Sequence, residues 1–223
     1  MSRTAISWSA GKDSCLALLR TRETGGRVET FLTMLDPDGS SKSHALPAEL
    51  VATQVDALGG RWQPAVAGPH EYSEAFDAQL SALRAEGHDR IVFGDIDLQA
   101  HRDWLEAACA RAGLTASFPL WGTPREQVAQ EIIRRGIRAR IVCVDTRWLD
   151  ESFCGAEYDA PLLARLPDGV CPCGENGEFH TFVWDAPGFR TPLSIARGVL
   201  RRVASQPPLA ATELIFEAPR FCD

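Results

Sequence analysis

Residues 5–14 read Ala5-Ile6-Ser7-Trp8-Ser9-Ala10-Gly11-Lys12-Asp13-Ser14, a short apolar run followed by a small polar loop that leads into a helical segment. A glycine-containing loop at a helix N-terminus presents unpaired backbone N–H groups to an anion, and the helix dipole adds to the attraction. Lys12 supplies a full positive charge, and Ser9 and Ser14 supply hydroxyl donors. The stretch therefore predicts a phosphate-binding loop directly after the first strand of a sheet.

This loop differs from a Walker A loop, which needs a glycine six positions before the lysine and a serine or threonine directly after it. Those positions hold Ile6 and Asp13 here. An ordinary strand-to-helix turn with a polar cap is the alternative, because short motifs also arise without a function.

The first two-thirds of the chain alternates between two hydrophobic periods. The β-type runs cover residues 5–8, 30–34, 90–93 and 140–144, with a weaker run at 62–66. Apolar residues at helical spacing fill the segments between them, at residues 51–58, 72–83, 104–112 and 128–132. Nearly continuous apolar strands separated by amphipathic helices are typical of a parallel sheet covered on both faces. We therefore predict an α/β fold.

The pattern changes in the last third of the chain. Residues 149–223 are rich in Pro, Gly and Cys, and a closing strand is predicted at 213–216. We expect a nucleotide-binding domain over residues 1–148 and a smaller α+β domain over residues 149–223.

Composition excludes several classes of protein. The chain has 223 residues, 45% of them hydrophobic, with a net charge of −7 and an odd number of cysteines, seven. No apolar run is long enough for a signal peptide or a membrane span, so we expect a cytoplasmic protein with reduced thiols. The acidic balance makes nucleic acid an unlikely partner. A homodimer is a further expectation, since soluble enzymes often form one.

A second polar cluster, Gly94-Asp95-Ile96-Asp97, follows the β-type run at 90–93 and precedes a helix that carries Arg102. Ligands of open parallel sheets bind beyond the carboxyl ends of the strands. Asp95 is therefore a candidate Mg²⁺ ligand or a residue that positions an acceptor, and Arg102 is a candidate partner for phosphate or carboxylate. A helix cap and a solvated helix face are the alternatives for these two residues.

Two further candidates lie near the second β-type run. Met34 closes that run and is a candidate nucleotide contact. His44 lies in the loop that follows, on the expected ligand side, and is a candidate substrate-binding residue. A solvated loop histidine is the alternative.

A third cluster extends from Cys171 to Thr181 and reads Cys-Pro-Cys-Gly-Glu-Asn-Gly-Glu-Phe-His-Thr. Polar residues interleaved with glycine suit a loop that approaches a ligand closely. The one-residue gap between the cysteines is too short for the usual paired zinc ligands. The carboxylates of Glu175 and Glu178 are candidates to bind Mg²⁺ or a cationic acceptor, or to accept a proton from attacking ammonia.

The first loop resembles the Ser-Gly-Gly-Lys-Asp-Ser loop of the N-type ATP pyrophosphatases, with Ala10 in place of a glycine. Together with the segments at 94–96, 119–121 and 174–181, it resembles the diphthine–ammonia ligase family of PP-loop ATPases. The resemblance implies a Rossmann-like sheet of the adenine nucleotide α-hydrolase type and a smaller C-terminal domain that faces the ATP cleft. It also implies cleavage of ATP between the α- and β-phosphates, with transient adenylation of the acceptor.

The residue chemistry and the resemblance together give expected roles to individual residues of this chain. Lys12, Asp13, Asp95 and Glu178 are expected to be catalytic. The expected nucleotide contacts are Ser9, Ala10, Gly11, Lys12, Asp13, Ser14, Met34 and Gly94. The expected substrate contacts are His44, Arg102, Glu175, Asn176, His180 and Thr181.

One departure concerns the acceptor. Ligases that make diphthamide typically have Glu-Gly-Gly-Glu-Phe-Glu-Thr in the late segment, whereas Asn176 and His180 replace a glycine and a glutamate here. This variant resembles a bacterial branch for which a corrinoid-related amidation has been suggested. Replacing a carboxylate by an imidazole removes a negative charge. The acceptor site is therefore expected to differ from one built for the trimethylammonium group of diphthine.

The sequence thus favours an ATP-dependent, AMP-forming ligase that joins ammonia to a carboxylate, with MgATP and free ammonia as co-substrates. A sulfurtransferase acting on tRNA is one alternative, although the chain lacks a Cys-x-x-Cys pair and a basic balance. An adenine-nucleotide sensor without turnover is another, although a sensor would not need Asp95 and Glu178.

Overall fold

A five-stranded parallel sheet forms the first part of the molecule. The computed structural model describes residues 3–42, 44–68, 70–204 and 212–222. The strands are β1 (Arg3–Ser7), β2 (Val28–Leu35), β3 (Arg61–Val66), β4 (His88–Val92) and β5 (Thr115–Ser117). Their spatial order is β3-β2-β1-β4-β5, and all neighbours are parallel. The predicted α/β, Rossmann-like fold is confirmed.

Helices follow these strands and cover both faces of the sheet. They are α1 (Lys12–Glu23), α2 (Ala48–Ala57), α3 (Tyr72–Ala85), α4 (Gln99–Ala112) and α5 (Arg125–Arg134). Successive strand residues point to opposite faces, so Ala5 joins the apolar cluster of Phe76 while Ile6 joins that of Leu16. Within the part of the chain that the structure describes, we find no helix with the length and apolar character needed to cross a membrane.

A four-stranded antiparallel sheet forms the second part. It has the order β7-β6-β10-β9 and consists of β6 (Arg138–Asp145), β7 (Phe179–Asp185), β9 (Leu200–Ala204) and β10 (Glu213–Glu217). The remaining elements are a 3₁₀ helix (Glu151–Phe153), α6 (Ala160–Arg165) and a two-stranded ribbon of β8 (Ile195–Ala196) and β11 (Arg220–Phe221).

The strand predicted over residues 140–144 exists as β6, but its assignment to the parallel sheet was wrong. It pairs antiparallel with β7 and β10, which follow it in the chain. Its continuous apolar run reflects burial on both faces, and a central strand of either sheet type has that pattern. Strand pairing thus changes from parallel to antiparallel between β5 and β6. The predicted division into two domains, residues 1–148 and 149–223, stays a prediction.

Candidate active site

The loop between β1 and α1 has an unusual backbone conformation at Ala10. This residue has a φ of 67° and is fully buried. The left-handed region costs a residue with a Cβ about 1–2 kcal/mol, so a glycine would be the ordinary choice here. The backbone oxygen of Ala10 accepts hydrogen bonds from Gln54 Nε2 (3.1 Å) and from the backbone N of Val183 (3.0 Å). Contacts from α2 and β7 therefore hold the loop in this conformation.

The hydroxyl groups of the loop organise its backbone. Ser9 Oγ accepts from the backbone N of Gly11 (3.3 Å) and lies 3.2 Å from Ser14 Oγ. Ser14 Oγ donates to the backbone O of Gly11 (2.9 Å). A Cβ on Gly11 would lie 2.9 Å from His44 Nε2, so a side chain there would displace that imidazole.

Lys12 begins α1 with a buried ammonium group. Its Nζ donates to Asp13 Oδ2 (2.8 Å) and to the backbone O of Cys173 (2.6 Å), and the residue is 2% exposed. Burial acts to lower the pKa of Lys12, but the charge and the hydrogen bond of the Asp13 carboxylate act against it, and the pKa is raised on balance. Lys12 therefore keeps a full positive charge below the protein surface.

A cavity of about 260 Å³ opens above this ammonium group. The β1–α1 loop lines one side, and residues from the late polar segment, among them Glu175, His180 and Thr181, line the other. Thr181 also closes the loop, because its Oγ1 accepts from the backbone N of Lys12 (3.1 Å). The structure thus brings the first and third predicted clusters together.

Two further cavities adjoin the first. One of about 320 Å³ extends toward the end of β4 and is lined by Asp13, Asp95, His101 and Glu175, among others. A smaller one of about 80 Å³ lies beside Met34 and also borders Ser9 and His44. The three cavities together form one depression at the carboxyl ends of the parallel strands, where ligands of such sheets bind.

Two neutral imidazoles form the wall between the cavities. The ring centroids of His44 and His180 lie 4.8 Å apart. Burial lowers the pKa of His180 to about 4, with a further contribution from the Lys12 charge. Burial, His180 and Lys12 lower the pKa of His44 well below its ordinary value. His44 Nδ1 is buried without a hydrogen-bond partner among the described residues.

Glu175 lies where the two larger cavities meet. Burial, together with the nearby Asp13 carboxylate, raises the pKa of its carboxyl from 4.5 to about 8. Glu175 is therefore mostly protonated near neutral pH, and can donate a hydrogen bond to a bound anion.

We expect Glu175→Gln to flatten the pH dependence of stability. The folded state holds a proton on Glu175 that the unfolded chain releases, so the wild-type free energy of unfolding should fall as the pH rises through the raised pKa. Urea unfolding between about pH 6.5 and about pH 8.5 should show a smaller fall for the variant. The exposed Glu126→Gln is the matched control and should follow the wild type. Equal slopes for Glu175→Gln and the wild type would contradict the raised pKa.

Glu178 is fully buried and organises the late loop. Its Oε1 accepts from the backbone N of Cys171 (2.9 Å) and from Asn176 Nδ2 (2.8 Å), and its Oε2 accepts from the backbone N of Asn176 (2.9 Å). Asn176 Oδ1 in turn accepts from Arg125 Nη1 (3.1 Å). The Glu178 carboxylate is therefore occupied by hydrogen bonds within its own loop and does not line the cavities.

The second predicted cluster packs against the first loop. A Cβ on Gly94 would lie 2.9 Å from the backbone N of Ser14, so only a glycine lets these backbones approach so closely. Asp95 Oδ1 is hydrogen-bonded to His101 Nδ1. In the described ranges, no group of three or more His, Cys, Asp or Glu side chains could hold a metal ion.

Arg102 forms an ion pair and lies over two aromatic rings. Its Nε donates to Glu106 Oε1 (2.7 Å), and its guanidinium lies over the rings of Trp121 (4.6 Å) and Phe118 (5.0 Å). A guanidinium held by an ion pair and two aromatic faces is stabilised where it is.

Two family models match the chain on either side of the cavities. The diphthamide synthase N-terminal domain matches residues 2–116, and the diphthamide synthase C-terminal domain matches residues 124–203. The chain belongs to the diphthamide synthase family. The first match contains the β1–α1 loop and Asp95, and the second contains Glu175, Glu178 and Thr181.

Relatives in the diphthamide synthase family are distant in sequence. The chain is 26% identical to diphthine–ammonia ligase of Bos taurus and 24% identical to that of Homo sapiens, and each match covers 86% of this chain and 82% of the relative. The match to diphthine–ammonia ligase of Schizosaccharomyces pombe is 24% identical and covers 82% of this chain but 34% of that protein. A solved structure described as a predicted subunit of tRNA methyltransferase from Methanocaldococcus jannaschii covers 63% of this chain and 79% of its own, at 14% identity and a TM-score of 0.44.

Some residues of this diphthamide synthase family site were not predicted. Gln54 and Tyr158 lie in segments without a polar motif, and only the fold brings Gln54 against the loop and the Tyr158 ring to 5.4 Å from Lys12 Nζ. His101 had a detectable signal, because it lies on the first turn of the helix that follows Asp95. His101 was not singled out because the helical pattern of residues 104–112 already accounts for this segment as an ordinary helix.

Proposed function

We propose that the chain is an ATP-dependent ligase that adenylates a carboxylate and transfers ammonia to it, releasing AMP and pyrophosphate. Membership of the diphthamide synthase family supports an ATP-dependent ligase. The observation that carries the proposal is the buried, charged Lys12 at the N-terminus of α1, facing a cavity that continues into a second one lined by acidic and imidazole groups.

The β- and γ-phosphates of ATP would bind in the β1–α1 loop. Backbone N–H groups at the start of α1 and the Lys12 ammonium supply positive charge there. On binding, Lys12 exchanges its contacts with Asp13 and the Cys173 carbonyl for phosphate oxygens. The small cavity beside Met34 is the proposed place of the adenine ring.

Magnesium would enter with ATP, held by the phosphate oxygens. Asp95 is the predicted ligand, but its Oδ1 is bonded to His101 Nδ1 and the described residues contain no cluster suited to a metal. We therefore assign Asp95 to the positioning of His101.

The acceptor would bind between the phosphate loop and the late segment. In the adenylation step, an acceptor carboxylate oxygen attacks the α-phosphorus and pyrophosphate leaves. Lys12 and the loop N–H groups neutralise the charge that develops on the leaving group. Neutral His44 and His180 and protonated Glu175 offer hydrogen bonds to an anionic acceptor, and they supply no carboxylate partner for a trimethylammonium group.

Glu178 has a positioning role in this proposal in place of the predicted catalytic one. Its three hydrogen bonds fix the loop that carries Glu175 and Asn176 at the cavity. Asn176 and Arg102 remain candidates for contact with a large acceptor.

Incubation with MgATP, ammonium and a panel of carboxylates tests the proposal. We expect acceptor-dependent formation of AMP and pyrophosphate, and an isotopic oxygen label in the acceptor carboxylate should appear in the AMP. Formation of ADP and phosphate would contradict the proposal, as would AMP free of the label.

A further inference from the structure

His101 and Asp95 form a hydrogen-bonded pair at the edge of the larger cavity. Asp95 follows β4 and His101 lies on the first turn of α4, so the strand end and the helix start hold the two side chains against each other. The His101 ring is parallel to that of Trp104, at an interplanar angle of 3° and a centroid distance of 6.2 Å. Both members of the pair line the cavity of about 320 Å³ that also borders the phosphate loop.

The pair fixes the protonation pattern of the imidazole. A carboxylate that bonds to one ring nitrogen holds the proton there and leaves the other nitrogen with its lone pair available. In His101 the bonded atom is Nδ1, so Nε2 is the basic nitrogen. The hydrogen bond to Asp95 raises the pKa of His101, which makes Nε2 a stronger base than an isolated imidazole.

The surroundings leave His101 as the best-placed base in the cavity. The other titratable groups that line it are Asp13, His44, Tyr72, Asp95, Glu175 and His180. Burial lowers the pKa of His44 and of His180, and Glu175 is mostly protonated near neutral pH. Asp13 is paired with Lys12, and burial raises the pKa of the Tyr72 hydroxyl. The His101 side chain is 49% exposed, so it can also pass a proton to solvent.

We propose that His101, oriented by Asp95, is the general base that deprotonates ammonium for the amide-forming step. This inference rests on the proposed ligase function. A proton moves from ammonium to His101 Nε2, and the nitrogen lone pair forms the C–N bond to the acyl carbon. The C–O bond to AMP then breaks, and AMP leaves with its electron pair. His101 releases its proton to water, and the second proton lost from the nitrogen follows it to solvent.

A change of nucleophile tests the base directly. Ammonium is almost fully protonated near neutral pH and needs a base, whereas hydroxylamine is largely unprotonated and does not. We expect His101→Gln to slow amide formation from ammonium about 100-fold. Hydroxamate formation from hydroxylamine should stay close to the wild-type rate. Asp95→Asn should show a loss of the same kind, and the exposed His70→Gln is the matched control.

Acceptor-dependent pyrophosphate release is measured in the same reactions, and it separates the two proposals. The base assignment is wrong, and the ligase proposal stands, if His101→Gln releases pyrophosphate normally and reacts with ammonium and hydroxylamine at equally reduced rates. The same conclusion holds if neither rate changes. A nucleophile-selective loss in Glu175→Gln instead of His101→Gln would assign the base to Glu175. If the wild type releases no pyrophosphate with any carboxylate, the ligase function fails and this inference fails with it.

Discussion

Lys12→Ala is expected to reduce acceptor-dependent pyrophosphate release by about 10²- to 10³-fold, the cost of losing one preorganised charge donor at a developing anion. Lys12 is 2% exposed, and its ammonium faces the cavity from the N-terminus of α1. The effective dielectric is low in so enclosed a place, so a water molecule there would stabilise an anion less than the Lys12 ammonium does. Initial rates under saturating ATP and acceptor, with a separate measurement of ATP affinity, give the size of the loss.

The matched control for Lys12→Ala is Arg27→Ala. Arg27 has a 76% exposed side chain paired with Glu29, and it precedes β2 at the opposite end of the parallel sheet from the loop. This variant removes the same unit of charge and should keep the wild-type rate. Circular dichroism shows whether Lys12→Ala remains folded. A folded Lys12→Ala variant with wild-type ATP affinity and rate would contradict the assignment of the loop to phosphate.

Glu178→Ala is expected to lower the free energy of unfolding by about 3 kcal/mol, because three N–H donors lose a buried, charged acceptor. The donors are the backbone N of Cys171 and the backbone N and side-chain amide of Asn176. No solvent reaches Glu178 to replace its oxygens, since the residue is 0% exposed. Urea unfolding monitored by fluorescence measures the change.

Glu151→Ala serves as the control for Glu178→Ala. Glu151 is 54% exposed and forms a surface ion pair with Arg202, so its loss should change stability by less than about 1 kcal/mol. If Glu178→Ala behaves like Glu151→Ala, the buried carboxylate does not organise the late loop.

The parallel sheet could be predicted from the sequence because the hydrophobic pattern of each strand is visible in a short stretch of residues. Ile6, Phe31 and Val92 belong to apolar runs, and helices with clear apolar faces separate those runs. The sequence did not predict which sheet contains β6. Its partners β7 and β10 lie far along the chain, and an apolar run contains no information about the direction of a neighbour.

The site was partly predictable for a similar reason. The loop around Lys12 is contiguous in sequence, so its chemistry was visible before the fold. The residue chemistry alone gave Glu175 and Glu178 the same candidate roles, and the resemblance placed Glu178 among the catalytic residues. In the structure Glu178 accepts from three N–H groups of its own loop, whereas Glu175 lines the cavities. Only three-dimensional contacts separate two such carboxylates. The same holds for Arg102, whose neighbours Phe118 and Trp121 come from another segment.

The hydrogen bond from Val183 to the Ala10 carbonyl has a consequence for protein synthesis. The ribosome makes the phosphate loop early, but β7 emerges only after residue 179 has been added. A nascent chain that ends before β7 contains the residues of all five parallel strands but lacks Thr181 and Val183, whose contacts hold the loop in place. Under the proposed function, nucleotide affinity should therefore arise only after β7 has been added to the chain.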